Sequence, residues 1–224
     1  MTQDPLSFYT FGYGGFGYDT SHVPPNEETP VITKRVEDGN LAAVQNIVEA
    51  VSADSEKTKH VFLNYARRRT EVDYRLSGFT KEYEWFDLTP LATAALKGHD
   101  DIVLYLLEQG ADPTLEGCPD DDVYLTALQS ANQLLRSAMA SSDKSKWNKP
   151  RRCVDLLSVA ELFWEKASYA GSRYSKTKRL EFSNRPCDVQ GLQQALREVK
   201  DIALYPSGSL KSEALKSLKA RFIA

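Results

Sequence analysis

The chain has 224 residues, 42% of them hydrophobic and 26% charged, which suits a soluble globular protein of one large or two small domains with a real core. No apolar run approaches the ~18 residues of a membrane span. Met1 to Pro5 carry no basic region leading into an apolar stretch, so no secretory signal is expected.

Charge and cysteines narrow the class further. Residues 1–130 hold ten Lys and Arg against twenty-two Asp and Glu, a net of −12, whereas residues 131–224 hold eighteen against nine, a net of +9. Such a split points either to an acidic or nucleic-acid partner for the basic half or to two halves that complement each other. Cys118, Cys153 and Cys187 are odd in number and far apart. They form neither a disulfide framework nor a metal motif, and reduced thiols in the cytoplasm are expected, with the nucleus also open.

Residues 1–29 interleave Phe8, Tyr9, Phe11, Tyr13, Phe16 and Tyr18 with Gly12, Gly14, Gly15 and Gly17 and then reach Pro24-Pro25. This composition builds no core of its own, and it reads as an extended arm whose Phe11, Tyr13, Phe16 and Tyr18 contact a partner. Gly12 to Gly17 fit G-x-G-x-x-G. A dinucleotide site needs a helix directly after that turn, and Asp19 to Pro25 cannot start one.

Residues 30–66 predict two helices around a turn. Pro30 opens the first, with Val31, Ile32 and Val36; Gly39-Asn40 turns the chain; Leu41, Val44, Ile47 and Val48 form the second stripe, and Lys59 to Ala66 prolong the helical part. Residues 67–88 follow as a period-2 segment. Val72, Tyr74 and Leu76, a Ser77-Gly78 turn, then Tyr83 and Trp85 predict an enlarged β-hairpin finger.

Thr89-Pro90-Leu91 starts the next helix, since a proline costs nothing at a helix N-terminus. Ala94-Ala95 is a small-residue face that admits close approach of a second helix. Gly98-His99 is a tight turn; Ile102, Val103, Leu106 and Leu107 are an apolar stripe, and Gly110-Ala111-Asp112 is the stop. The spacing from Gly39 to Val48 copies that from Gly98 to Leu107, which marks an internal repeat. Asp100-Asp101 sit at a helix start, where they favour its positive end. His99 is read as a structural turn residue that satisfies nearby backbone groups.

Residues 118–170 predict a stretched third unit. Leu125-Thr126-Ala127-Leu128 stands where Leu88 to Leu91 stood, and its helix runs through Leu134, Leu135 and Met139. A polar loop covers Ser141 to Pro150, and a second helix starts near Cys153 and continues through Val154, Leu157, Ala160 and Phe163. Asp120-Asp121-Asp122 precede the first of these helices and lack the ligand spacing of a calcium loop. Residues 171–224 predict helices at Val189 to Leu204 and Ser209 to Phe222.

Residues 89–112 resemble an ankyrin repeat almost position by position, departing from it at Asp87, where a turn glycine is usual, and at Ala92, where His is usual. The resemblance implies an all-α fold: a short ankyrin-type helical solenoid with an enlarged β-hairpin finger and a helical C-terminal cap. The implied organisation is an arm at 1–29, ankyrin-like repeats over 30–170 with insertions at 67–88 and 140–152, and a degenerate repeat with a helical cap at 171–224. It also implies binding rather than chemistry. The variable contact positions fall on Trp85, Phe86, Leu88, Leu96 and Lys97, and Tyr74 and Tyr83 extend the same apolar ridge along the finger. A non-enzymatic protein-binding adaptor or subunit of a larger assembly is expected, with no cofactor, metal or small-molecule substrate.

The alternative is an RNA-associated subunit. Lys144, Lys146, Trp147, Lys149, Arg151 and Arg152 place a Trp among cations, a composition suited to phosphate attraction with base stacking, and equally to a solvated loop whose Trp packs back onto the domain. No H-E-x-x-H, G-x-S-x-G, P-loop or C-x-x-C occurs, so no catalytic residue is assigned.

Overall fold

Proline, glycine and small polar residues set several of the helix limits among the described residues. The computed structural model describes residues 30–53, 56–66, 68–74, 80–118, 123–164, 188–202 and 209–223, and of the two strands only the backbone. The arm with Phe11, Tyr13, Phe16 and Tyr18, the Asp120-Asp121-Asp122 run and residues 165–187 lie outside the described residues.

The described part is mostly helical. In chain order it comprises α1 (Val31–Glu37), α2 (Leu41–Ser52), α3 (Glu56–Asn64), β1 (Arg68–Tyr74), β2 (Thr80–Phe86), α4 (Pro90–Lys97), α5 (Asp100–Glu108) and α6 (Ala127–Met139). A 3-10 turn (Lys144–Trp147), α7 (Asn148–Ala160), a second 3-10 turn (Glu161–Phe163), α8 (Val189–Ile202) and α9 (Ser209–Ile223) follow.

Local chemistry accounts for the boundaries. The Thr89 hydroxyl accepts from the Ala92 N–H at 3.1 Å, Pro90 fills the first turn of α4, and Gly98 ends it in the left-handed conformation at φ 73°. Asn40 caps α2 by accepting from Ala43 N–H at 3.0 Å. Thr126 and Gln129 form a reciprocal capping box at the start of α6, at 3.2 and 2.8 Å.

The helices stack in pairs. α1 packs on α2, α4 on α5 and α6 on α7; α1, α4 and α6 then lie side by side in one row, and α2, α5 and α7 in a second. Ala94 and Ala95 are fully buried at the centre, where their small size lets the rows approach. Ile102, Val103, Leu106 and Leu107 are also fully buried, and one continuous core runs from Ile32 to Leu218. α8 packs against α7 and α5, forming a layer outside the second row, and α9 packs on α8. Phe222 of α9 meets Phe163 with ring centroids 4.9 Å apart, and Lys211 reaches Asp155 at 3.0 Å.

The segment read as a polar loop from Ser141 to Pro150 takes a different form. Asp143 accepts from Ser145 N–H at 3.0 Å and starts the 3-10 turn, and α7 begins at Asn148 rather than near Cys153. Pro150 falls in the first turn of α7, where no intrahelical donor is needed, so it favours the helix it was expected to precede.

β1 and β2 pair antiparallel, with Arg69 opposite Trp85, Glu71 opposite Tyr83 and Tyr74 opposite Thr80. Opposed residues share a face and successive ones alternate. Tyr83 and Trp85 therefore lie on one face of the ribbon, and Tyr74 and Phe86 on the other. The single apolar ridge expected from these four residues is divided by the register.

Candidate functional site

Lys97, the last residue of α4, is exposed, and Leu96 beside it is half-buried and packed against the core. Leu88 does not join them. It is only 7% exposed and belongs to the core, so the expectation that it meets a partner is corrected. The cause is its position just before the Thr89 cap, where the chain turns inward to start α4. Pro90, Leu91, Ala92 and Thr93 are buried as well.

The joints between pairs are built from contacts distant in sequence. The His99 ring lies so close to Gly39 that a Cβ placed there would meet its Cε1 at 2.8 Å. His99 makes no cap hydrogen bond, and its buried Nε2 has no partner among the described residues. Its role is thus packing across the joint rather than the backbone satisfaction expected of it. Gly98 plays the reciprocal part toward the next pair, with Leu134 Cδ2 2.9 Å from where its Cβ would stand. The Gly110-Ala111-Asp112 stop is tied to α3, because buried Asn64 accepts from Asp112 N–H at 2.8 Å and donates to the His60 carbonyl at 2.9 Å.

The basic cluster separates into two kinds of residue. Arg152 Nη1 lies 2.8 Å from Oδ2 of the buried Asp100, and the Trp147 indole N–H donates to the Ala138 carbonyl at 2.9 Å. Both make contacts within the fold while remaining partly exposed. Lys144, Lys146, Lys149 and Arg151 are exposed, and Lys146 stands 4.0 Å from Asp143.

Electrostatics offers little reactivity. Burial pushes the Cys153 thiol up to about 12, with the Asp100 carboxylate adding to the effect, so the thiolate needed for nucleophilic or redox chemistry is suppressed. Burial raises Tyr105 too, helped by Glu49 and Glu108. Among the described residues no group of His, Cys, Asp and Glu is placed to hold a metal, and no helix is long and apolar enough to cross a membrane.

Sequence reasoning missed Asn64 and Asp100 as joint residues. A polar side chain that becomes buried by pairing 48 residues away leaves no local signal.

Comparison with known proteins adds the family. Phosphopentomutases of Shewanella baltica strains OS155 and OS185 are each 28% identical to this chain over 99 residues, covering 43% of it and 24% of their own length. The chain thus spans about a quarter of the length of these curated relatives, and a likeness so distant and partial gives no ground for assigning their activity to it. No solved structure matches. Residues 86–117 match the family model of the ankyrin repeat, a non-catalytic unit of protein–protein interaction, over the α4–α5 pair and its flanks. Residues 86–117 of this chain are thus an ankyrin repeat.

Proposed function

We propose that this protein is a non-enzymatic adaptor, or a subunit of a larger assembly, working in the reducing interior of the cell. It holds a protein partner on the concave face of a short helical solenoid and on the hairpin finger beside it. The observation that carries this reading is the ankyrin match at residues 86–117, set within helix pairs stacked on both sides. Repeat stacks fold through their inner contacts and leave solvent-facing positions free to suit a partner. Lys97 and the half-buried Leu96 are assigned to that surface, with Tyr83 and Trp85 on one face of the finger and Tyr74 and Phe86 on the other.

Trp85→Ala combined with Phe86→Ala tests it. Loss of a captured protein partner at unchanged melting temperature is the expected result, since aromatic anchors dominate interface energetics. A large fall in stability instead would place both rings in the core and remove the finger from the contact surface.

A second reading, contact with RNA, rests on the four exposed cations Lys144, Lys146, Lys149 and Arg151. It requires RNA binding that weakens steeply with salt and disappears when these residues become Glu. Absence of RNA binding even at low ionic strength would end that reading.

A further inference from the structure

α9 is held to the fold by less apolar surface than the helix beneath it. α8 buries Leu192, Ala195, Leu196, Val199 and Ile202, whereas among the described side chains of α9 only Leu218 is buried. Ala214, Leu215 and Phe222 are partly buried against the core, and Leu210 is 63% exposed. Ala214, Leu218 and Phe222 recur at i, i+4 and i+8, so they share one face. The helix lies on α8 and the second 3-10 turn, where Phe222 meets Phe163.

Two ion pairs flank that face. Lys211, in the first turn of α9, reaches Asp155 of α7 at 3.0 Å, the two side chains 15% and 16% exposed. Arg221, in the last turn, pairs with Glu198 of α8, where both remain more open to solvent. Ten residues separate Lys211 from Arg221, roughly 15 Å along a helix. α9 as a whole carries Lys211, Lys216, Lys219 and Arg221 against Glu213 alone. Its seat therefore has a defined chemistry: an apolar surface with a carboxylate near each end.

We propose that α9 is a releasable cover, which opens as a unit while the stack stays folded and yields its seat to a basic amphipathic helix of a protein partner. A segment with few buried apolar contacts opens at a lower free energy than the core it rests on. The seat's fit for such a helix is on the page, because α9 is one. An entering helix needs apolar anchors at i, i+4 and i+8 and a cation beyond each end of that row, so that Asp155 and Glu198 set its orientation. The link from α8 to α9 is only residues 203–208, and a tether so short gives α9 an effective concentration on the order of millimolar. The partner consequently binds weakly to the closed chain and more tightly whenever the ion pairs are loosened. This seat involves α7, α8 and the second 3-10 turn rather than the finger or the α4 turn, so either proposal can fail alone.

Hydrogen exchange read by mass spectrometry on the full chain tests the opening. α9 amides should exchange roughly tenfold or more faster than those of α5. Salt should speed α9 and leave α5 unchanged. Arg221→Glu should speed it further, and Glu198→Lys added to Arg221→Glu should restore the protection. For the seat, the probe is a synthetic peptide of residues 209–223, followed by fluorescence anisotropy. It should bind the full chain carrying Lys211→Glu with Arg221→Glu roughly tenfold or more tighter than the parent, since the tethered competitor is then repelled. The same peptide with Glu at both positions should not bind. Each chain is first shown to keep the parent's melting transition. Excess peptide added to the parent, speeding exchange of α9 but not α5, makes the same test without any substitution. Exchange of α9 only together with α5, equal peptide affinity for the two chains, or no binding to the charge-reversed chain would overturn the proposal.

Discussion

Arg152 Nη1 meets Asp100 Oδ2 at 2.8 Å, joining the start of α5 to the first turns of α7 across fifty-two residues of sequence. The Asp100 side chain is 8% exposed and that of Arg152 42%. Removal of the arginine leaves a buried carboxylate without its counter-charge, whereas the arginine itself remains partly in water. Arg152→Ala should therefore cost on the order of 1–3 kcal/mol, and Arg151→Ala next to it close to nothing. Adding Asp100→Asn to Arg152→Ala should recover part of the loss. Chemical denaturation of the four proteins checks this, and equal effects at Arg151 and Arg152 would contradict the assigned pairing.

Leu106 sits fully buried in α5, within the repeat at residues 86–117. Leu106→Ala removes packing from both rows at once and should destabilise by roughly 2–5 kcal/mol. An unchanged melting temperature would be incompatible with the stacked core.

Gly39 and Gly110 separate two contributions that usually arrive together. Both are left-handed, at φ 68° and 89°, but an added Cβ at Gly39 would strike the His99 ring whereas at Gly110 it would meet nothing within 4 Å. Gly110→Ala should carry only the backbone term, about 1–2 kcal/mol. Gly39→Ala should cost measurably more, and His99→Ala in the same chain should reduce the excess. Urea midpoints of the single and double variants give the comparison.

Cys153 predicts a loss of stability in alkali. Its thiol titrates near 9.0 in an unfolded chain and at about 12 in the folded one, so the stabilising contribution is full below pH 9 and declines as pH rises toward 12. Tyr105, raised by burial, acts with the same sign above its ordinary value of 10.0. Urea midpoints at pH 8 and pH 10 should diverge more in the parent than in Cys153→Ala. Rapid alkylation of Cys153 at pH 8, in a chain with Cys118→Ser and Cys187→Ser, would contradict its burial.

Sequence alone determined the helix pairs. Gly39, Gly98 and Gly110 mark left-handed turns, Asn40, Thr89 and Thr126 are caps, and Ile102, Val103, Leu106 and Leu107 keep one helical face. Each of these signals is local: a φ angle, a hydrogen bond three residues away, a period of 3.6. The Gly98-His99 turn, the stripe from Ile102 to Leu107 and the stop at Gly110 made the ankyrin repeat legible before any packing was known. The contact surface was legible only in part, because exposure depends on which distant element arrives. Leu88 has the character of a contact residue but is swallowed by the core at the head of α4. Arg152 and Trp147 have the composition of a nucleic-acid loop, yet Asp100 and the Ala138 carbonyl claim their polar atoms. The β1–β2 register assigned the four finger aromatics to opposite faces, since a period of two separates residues that composition groups together. Tertiary structure also decided that α8 covers α5 and α7. That choice lies in the competition between docking surfaces, a balance of burial summed over the whole stack rather than a preference carried by any one segment.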